Sequence, residues 1–281
     1  MACRIATTKR SRQSRRTAGR ALAFGLTFSL AFGLACVNAT ARAQDSPPAS
    51  PVSKACQPGS AALSTESSLP NVAAALATRK TLRILAFGAA PGRINARGGY
   101  IDLIEAMLER ALKGTDVTIV NRGVSGELAA DAASRMKNEV ALERPDLVLW
   151  QVGTNDALDQ VPSDEFAVTI KNQVDWLKAH KVDVVLVGLQ FAKGVQRDPH
   201  YIDVRETLRR VAAQENVLVI RFFEAMQIVS RVEAHGGPSI EPDEVEQSDA
   251  GYNCLAQYVA RAITLGVFAK NLPKRPQPAR P

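Results

Sequence analysis

The chain has 281 residues, 46% hydrophobic and 22% charged, enough for one medium-sized domain with a real core. Its formal net charge of +7 points to a polyanionic partner only at first sight, because the excess is local. Residues 1–43 hold eight Lys or Arg and no acid, leaving 27 basic against 28 acidic residues elsewhere, so the high pI alone is no ground for a nucleic-acid partner, and none is expected.

The basic start has the pattern of a secretory signal. Its charged region ends at Arg20, a mostly apolar run covers residues 21–36, and Ala41-Arg42-Ala43 is a small-x-small cleavage pattern. Cleavage is expected after Ala43, with a periplasmic or secreted destination. The apolar run is too short and too rich in Gly, Ser and Thr for a stable membrane anchor. Cleavage would leave Cys56 and Cys254. Two cysteines in an oxidising compartment are expected to pair, against a reading as two free buried thiols. The bond would tie the N-terminal arm to the last helix, for roughly 3–5 kcal/mol in the chain-entropy model.

Residues 44–70 are rich in Ser, Pro and Ala and read as a linker or surface arm. The domain proper is expected over 71–267, starting with a short helix at 71–77. From residue 82 the pattern alternates. Strands are expected at 82–87, 117–120, 146–152, 182–189 and 217–222. The third is an almost continuous apolar run, as in a strand covered on both faces. Helices are expected at 99–112, 127–140, from a Ser163 cap through 177, at 201–214, and from a Ser248 cap to about 265. Leu103, Ile104, Met107 and Leu108 share one helical face, as do Phe166, Ile170, Val174 and Leu177. The basic, Pro-rich residues 268–281 read as a tail. Five strands alternating with helices predict an α/β chain, a three-layer α/β/α sandwich on a parallel sheet.

Three strands lead into turns with polar or Gly-rich chemistry. The first runs into Gly88-Ala89-Ala90-Pro91-Gly92, the second into Asn121-Arg122-Gly123-Val124-Ser125-Gly126, the third into Gly153-Thr154-Asn155-Asp156. A fourth segment, from Asp243 to Tyr252, precedes the last helix. Sites in such folds lie at the carboxyl ends of the strands.

On these motifs, residues 82–265 resemble the SGNH/GDSL hydrolases, a family of esterases, lipases, thioesterases and carbohydrate deacetylases with a flavodoxin-like five-stranded sheet. The resemblance implies that Gly126 and Asn155 are oxyanion donors and that Asp243 is the acid of a triad. It also implies a nucleophilic serine where this chain has Ala90, an aspartate where it has Ala89, and a histidine where it has Glu246. A methyl group cannot attack a carbonyl, and a carboxylate does not exchange protons near neutral pH as imidazole does. The chain therefore reads as a pseudo-esterase that binds an acylated or carbohydrate ligand. Two alternatives stay open: an active hydrolase using Asp243 and Glu246, and a structural or interaction module. No cofactor or metal is expected, because Asp243 and Glu246 have no visible third ligand.

Ser125 reads as a turn or capping residue rather than a substitute nucleophile. His200 reads as a loop residue before a helix, and His235 as a solvated loop residue. Trp150 and Trp176 read as core or layer-packing residues.

Overall fold

A computed structural model describes Cys56 and residues 63–88, 99–233 and 241–269. The chain divides into Met1–Asp45 and Ser46–Pro281, and all of these residues belong to the second unit. The expected signal segment, most of the arm, Ala89, Ala90, His235 and the chain after residue 269 lie outside the described residues.

The sheet holds β1 (Thr81–Phe87), β2 (Asp116–Asn121), β3 (Leu147–Gln151), β4 (Asp183–Val187) and β5 (Leu218–Ile220). All neighbours are parallel, in the order β2-β1-β3-β4-β5. β3 and β4 are buried along their whole length, which is why they read as unbroken apolar runs.

Alternation along the strands divides the core in two. Leu82, Ile84, Leu147, Leu149, Val185 and Val187 meet α1 (Pro70–Thr78), α2 (Tyr100–Ala111), α7 (Phe222–Glu233) and α8 (Asp249–Phe268). Leu85, Phe87, Val148, Trp150, Val184, Leu186 and Val219 meet α3 (Ala129–Glu143), α5 (Ser163–Ala179) and α6 (Pro199–Gln214). A helix leaving β1 thus packs on one face, while those leaving β2, β3 and β4 pack on the other. The strand order reverses between β1 and β3, and that reversal opens a crevice at their carboxyl ends. The three-layer α/β/α expectation is met, with Trp150 in the core and Trp176 partly buried against the second cluster.

The local differences have local causes. Phe222, expected to end a strand, starts α7, because Phe222, Ala225, Met226 and Val229 recur with helical spacing and fill the first cluster. A five-residue helix, α4 (Thr154–Leu158), follows β3 and is too short to show a period. Ser163 is the first residue of α5 rather than its cap, and Pro162 holds the cap position. Ser248 does cap α8, its hydroxyl accepting from Gly251 N at 2.9 Å. α8 runs on to Phe268, past the expected end near 265. His200 lies in the first turn of α6, not before it.

Two buried carboxylates hold the opposite, amino-terminal edge of the sheet. Asp183 accepts from the backbone of Asn71 (2.9 Å) and Val72 (3.0 Å) and from Asn71 Nδ2 (2.8 Å), so a strand residue caps α1 from a distance. Asp146 accepts from Arg83 N at 3.0 Å and pairs with Arg79.

The arm is fixed at two places. Ser64 bridges Ile220 antiparallel, Thr65 N donates to Val219 O (3.0 Å) and Arg221 N to Leu63 O (2.7 Å), which covers the outer edge of β5. Cys56 is disulfide-bonded to Cys254 on α8, as expected, across 198 residues of sequence. Beside it the buried Tyr258 hydroxyl donates to Cys56 O at 2.7 Å, and burial pushes its pKa up to about 12.

At the carboxyl edge, Gly88 has φ +96°, and a Cβ there would lie 1.9 Å from the Gln151 carbonyl oxygen. Gly126 also has a positive φ, +77°, but a Cβ there would meet nothing within 4 Å.

Two stability predictions result. Gly88→Ala combines a left-handed φ with a backbone collision and should cost at least about 3 kcal/mol, whereas Gly126→Ala should cost only about 1 kcal/mol. Urea unfolding of both variants tests this, and equal losses would contradict the close approach. Reducing the disulfide should lower the melting temperature by on the order of 10 °C, from roughly 2–5 kcal/mol at a few degrees each. Calorimetry with and without dithiothreitol measures it.

Candidate active site

The turn after β2 is built by charges and backbone acceptors. Asn121 Oδ1 accepts from Gly123 N at 2.9 Å, closing a local turn at the strand end. Arg135 on α3 reaches back and donates to both carboxylate oxygens of Glu127 (2.9 and 2.8 Å) and to the Arg122 carbonyl (2.7 Å). Its guanidinium also lies 4.8 Å from the centre of the Phe87 ring, at the end of β1. Arg122 in turn pairs with Glu139 (2.9 Å) and Glu143 (2.7 Å). These carboxylates hold both guanidiniums above their ordinary pKa, hydrogen bonding to Glu139 and Glu127 being the largest cause for Arg122 and Arg135 respectively.

The turn after β3 is tied to this one. Asn155 Nδ2 donates to Glu127 O at 3.0 Å, one residue beyond Gly126. The two residues expected as oxyanion donors are therefore brought to neighbouring turns. An amide nitrogen carries two hydrogens, so one bond to Glu127 leaves Asn155 a second to offer. Thr154 Oγ1 accepts from Gln190 N (3.0 Å), which fastens the same turn to the loop that follows β4.

Asp156 lies 2% exposed, and its Oδ1 accepts from Ala129 N, the first residue of α3, at 2.9 Å. Its Oδ2 has no hydrogen-bond partner. Burial pushes its pKa above the ordinary 3.8, against the smaller opposing effect of nearby backbone amides. Ser125 is exposed in the turn and does not cap α3, whose cap position is Leu128. Asp156 supplies the acceptor instead.

Asp243 and Glu246 fall in a 3-10 turn, Pro242–Gln247, that leads into α8. Val245 between them is fully buried in the first cluster and anchors the turn. Of Asp243 and Glu246 the backbone is placed here, and their side chains lie outside the described residues.

Motif reading singled out Gly126 and Asn155, whose turns the Asn155–Glu127 bond ties together, but gave no part to Glu127, Arg135 or Asp156. For Arg135 the only available signal was its spacing of four from Glu139 on one helix.

The Asp156 geometry has a testable pH signature. Its folded pKa is raised, so its contribution to stability is full below pH 3.8 and is lost as pH rises through the folded value. Asp156→Asn keeps an acceptor for Ala129 N without the buried charge. The melting temperature of the variant relative to the native chain should therefore rise between pH 3.5 and 7. A difference that stays constant across that range would contradict the raised pKa.

Comparison with known proteins matches this architecture. The Non-GDSL lipase-like family matches residues 55–269, well over half of the chain. The chain is 29% identical over 126 residues to esterase TesA of Pseudomonas aeruginosa, a match covering 44% of this chain and 61% of that protein. It is 25% identical over 190 residues to an acetylxylan esterase of Geobacillus stearothermophilus, covering 61% and 84%. Among solved structures, LAE5, an alpha/beta hydrolase enzyme from the metagenome of Lake Arreo, superposes with a TM-score of 0.52 at 22% identity, over 66% of this chain and 96% of that one. Axe2, an acetylxylan esterase from Geobacillus stearothermophilus, gives 0.52 at 22% identity, over 65% and 94%. These two structures establish the fold, and the family match establishes descent: the chain belongs to the Non-GDSL lipase-like family of the SGNH/GDSL hydrolases.

Proposed function

We propose that this is an exported, catalytically impaired member of the family that binds an acylated ligand, such as a glycan ester, without turning it over. One observation carries the reading. The Asn155–Glu127 hydrogen bond holds the turns of Gly126 and Asn155 together, while the sequence offers Ala90 and Glu246 where the family has a nucleophile and a base. The ligand half of an esterase site is kept and the reacting half is missing.

The magnitudes favour impairment. In a serine protease, loss of the nucleophile or the base alone costs about 10⁶-fold in turnover, and loss of both costs little more. An oxyanion hole by itself retains roughly 10³–10⁴-fold over water. The non-GDSL description of the family agrees with a first turn that reads Gly88-Ala89-Ala90. The name of the acetylxylan esterase relative suggests the class of ligand, an O-acetylated sugar. Export is supported by the signal pattern before Ala43 and by the Cys56–Cys254 bond, which belongs to an oxidising compartment.

The mature chain should not label with a fluorophosphonate, and its turnover of p-nitrophenyl acetate should lie about a millionfold below that of an intact triad enzyme. The double variant Ala90→Ser, Glu246→His should gain labelling and a burst of p-nitrophenol. Fluorophosphonate labelling of the native chain, or turnover lost in Glu246→Gln, would overturn the reading.

A further inference from the structure

Gln151 ends β3 at the crevice, and neither the family motif nor the reading above uses its side chain. The residue is 9% exposed, and its Nε2 is buried without a hydrogen-bond partner. An orphaned amide donor in an interior is costly, and each such group calls for an explanation. A methionine or leucine of similar bulk would fill an apolar site without that cost.

The position of the amide is informative. Alternation along β3 puts Gln151 on the side of Leu147 and Leu149, and its register partner on β4 is Val187. That side is the one covered by α2, α7 and α8, and Val245 of the 3-10 turn packs into the same cluster. The main chain of Gln151 lies against Gly88, where β1 ends. Gln151 thus ends its strand against the end of β1, on the side of the sheet whose core takes in Val245 of the 3-10 turn. Asn155 and Gly126 mark the turns beside it.

We infer that Gln151 is a ligand-binding residue of this site, whose Nε2 donates to a neutral acceptor oxygen of the bound ester, a carbonyl or a sugar hydroxyl. The inference rests on the ligand-binding reading above and adds a donor to it. A neutral acceptor suits an uncharged amide donor, and among the described residues the guanidiniums of Arg122 and Arg135 are engaged by Glu127, Glu139 and Glu143. A second N–H donor, apart from those expected at Gly126 and Asn155, would let the site grip a ligand at two oxygens. Such a ligand is a polyol ester rather than a simple acyl group.

Triacetin is a suitable probe, being a small neutral polyol ester. Its affinity for the mature chain is measured by calorimetry, alongside Gln151→Met, Gln151→Glu and Asn155→Ala. Gln151→Met should bind it about three- to tenfold more weakly, the value of one neutral hydrogen bond, with a melting temperature no lower than native. Gln151→Glu opposes an acceptor with an acceptor and should weaken binding further. Side-chain amide resonances of Gln151 should shift when triacetin is added to the native chain. Native binding that weakens in Asn155→Ala but is unchanged in both Gln151 variants overturns the inference and leaves the ligand-binding reading standing: the amide then holds only a water. No binding of triacetin by the native chain overturns both.

Discussion

The end of β1 lies so close to the end of β3 that no side chain fits between them. A Cβ at residue 88 would sit 1.9 Å from the Gln151 carbonyl, and the backbone turns there with φ +96°. Only glycine satisfies both conditions at once. This contact fixes where the chain leaves the sheet after β1, and it does so within reach of the turns that follow β2 and β3. The next two positions read Ala89-Ala90, where the resemblance implies an aspartate and a serine.

Among the described residues, charge fastens one piece of structure to another. Arg135 joins three pieces of structure: the Glu127 carboxylate, the Arg122 carbonyl and the face of Phe87. It thereby couples the turn beside Gly126 to β1, which ends at Phe87. At the other edge, Asp183 and Asp146 receive α1 and the start of β1. The buried acids accept backbone N–H groups, which is how an interior tolerates them. Asp156 is the least complete of the set, with one oxygen used and one idle.

The sheet was legible because parallel strands covered on both faces read as apolar runs, and β3 and β4 are buried at every position. The turns that carry Gly126 and Asn155 were legible because a turn motif is local. What escaped reading is nonlocal. The acceptor for the start of α3 comes from Asp156, 27 residues on, and that for α1 comes from Asp183, more than a hundred residues away. No window of sequence contains both partners. α7 was missed for a different reason: Phe222 and Phe223 follow directly on β5 and extend its apolar run, so the change of period is hidden at the junction. Gln151 was hidden in the same way, as one polar residue at the end of an apolar strand.

The segment at residues 63–65 lies along β5, where the sheet would otherwise expose unpaired amides and carbonyls. That cover is held by hydrogen bonds between Leu63, Thr65 and Ser67 and the backbone of Asn216, Val217, Val219 and Arg221, and is backed by a crosslink nearby in the chain, at Cys56. A nascent chain whose thiols have not yet been oxidised has a looser grip on this rim. A bare β5 edge would present unpaired amides and carbonyls, the feature on which a foreign strand can add.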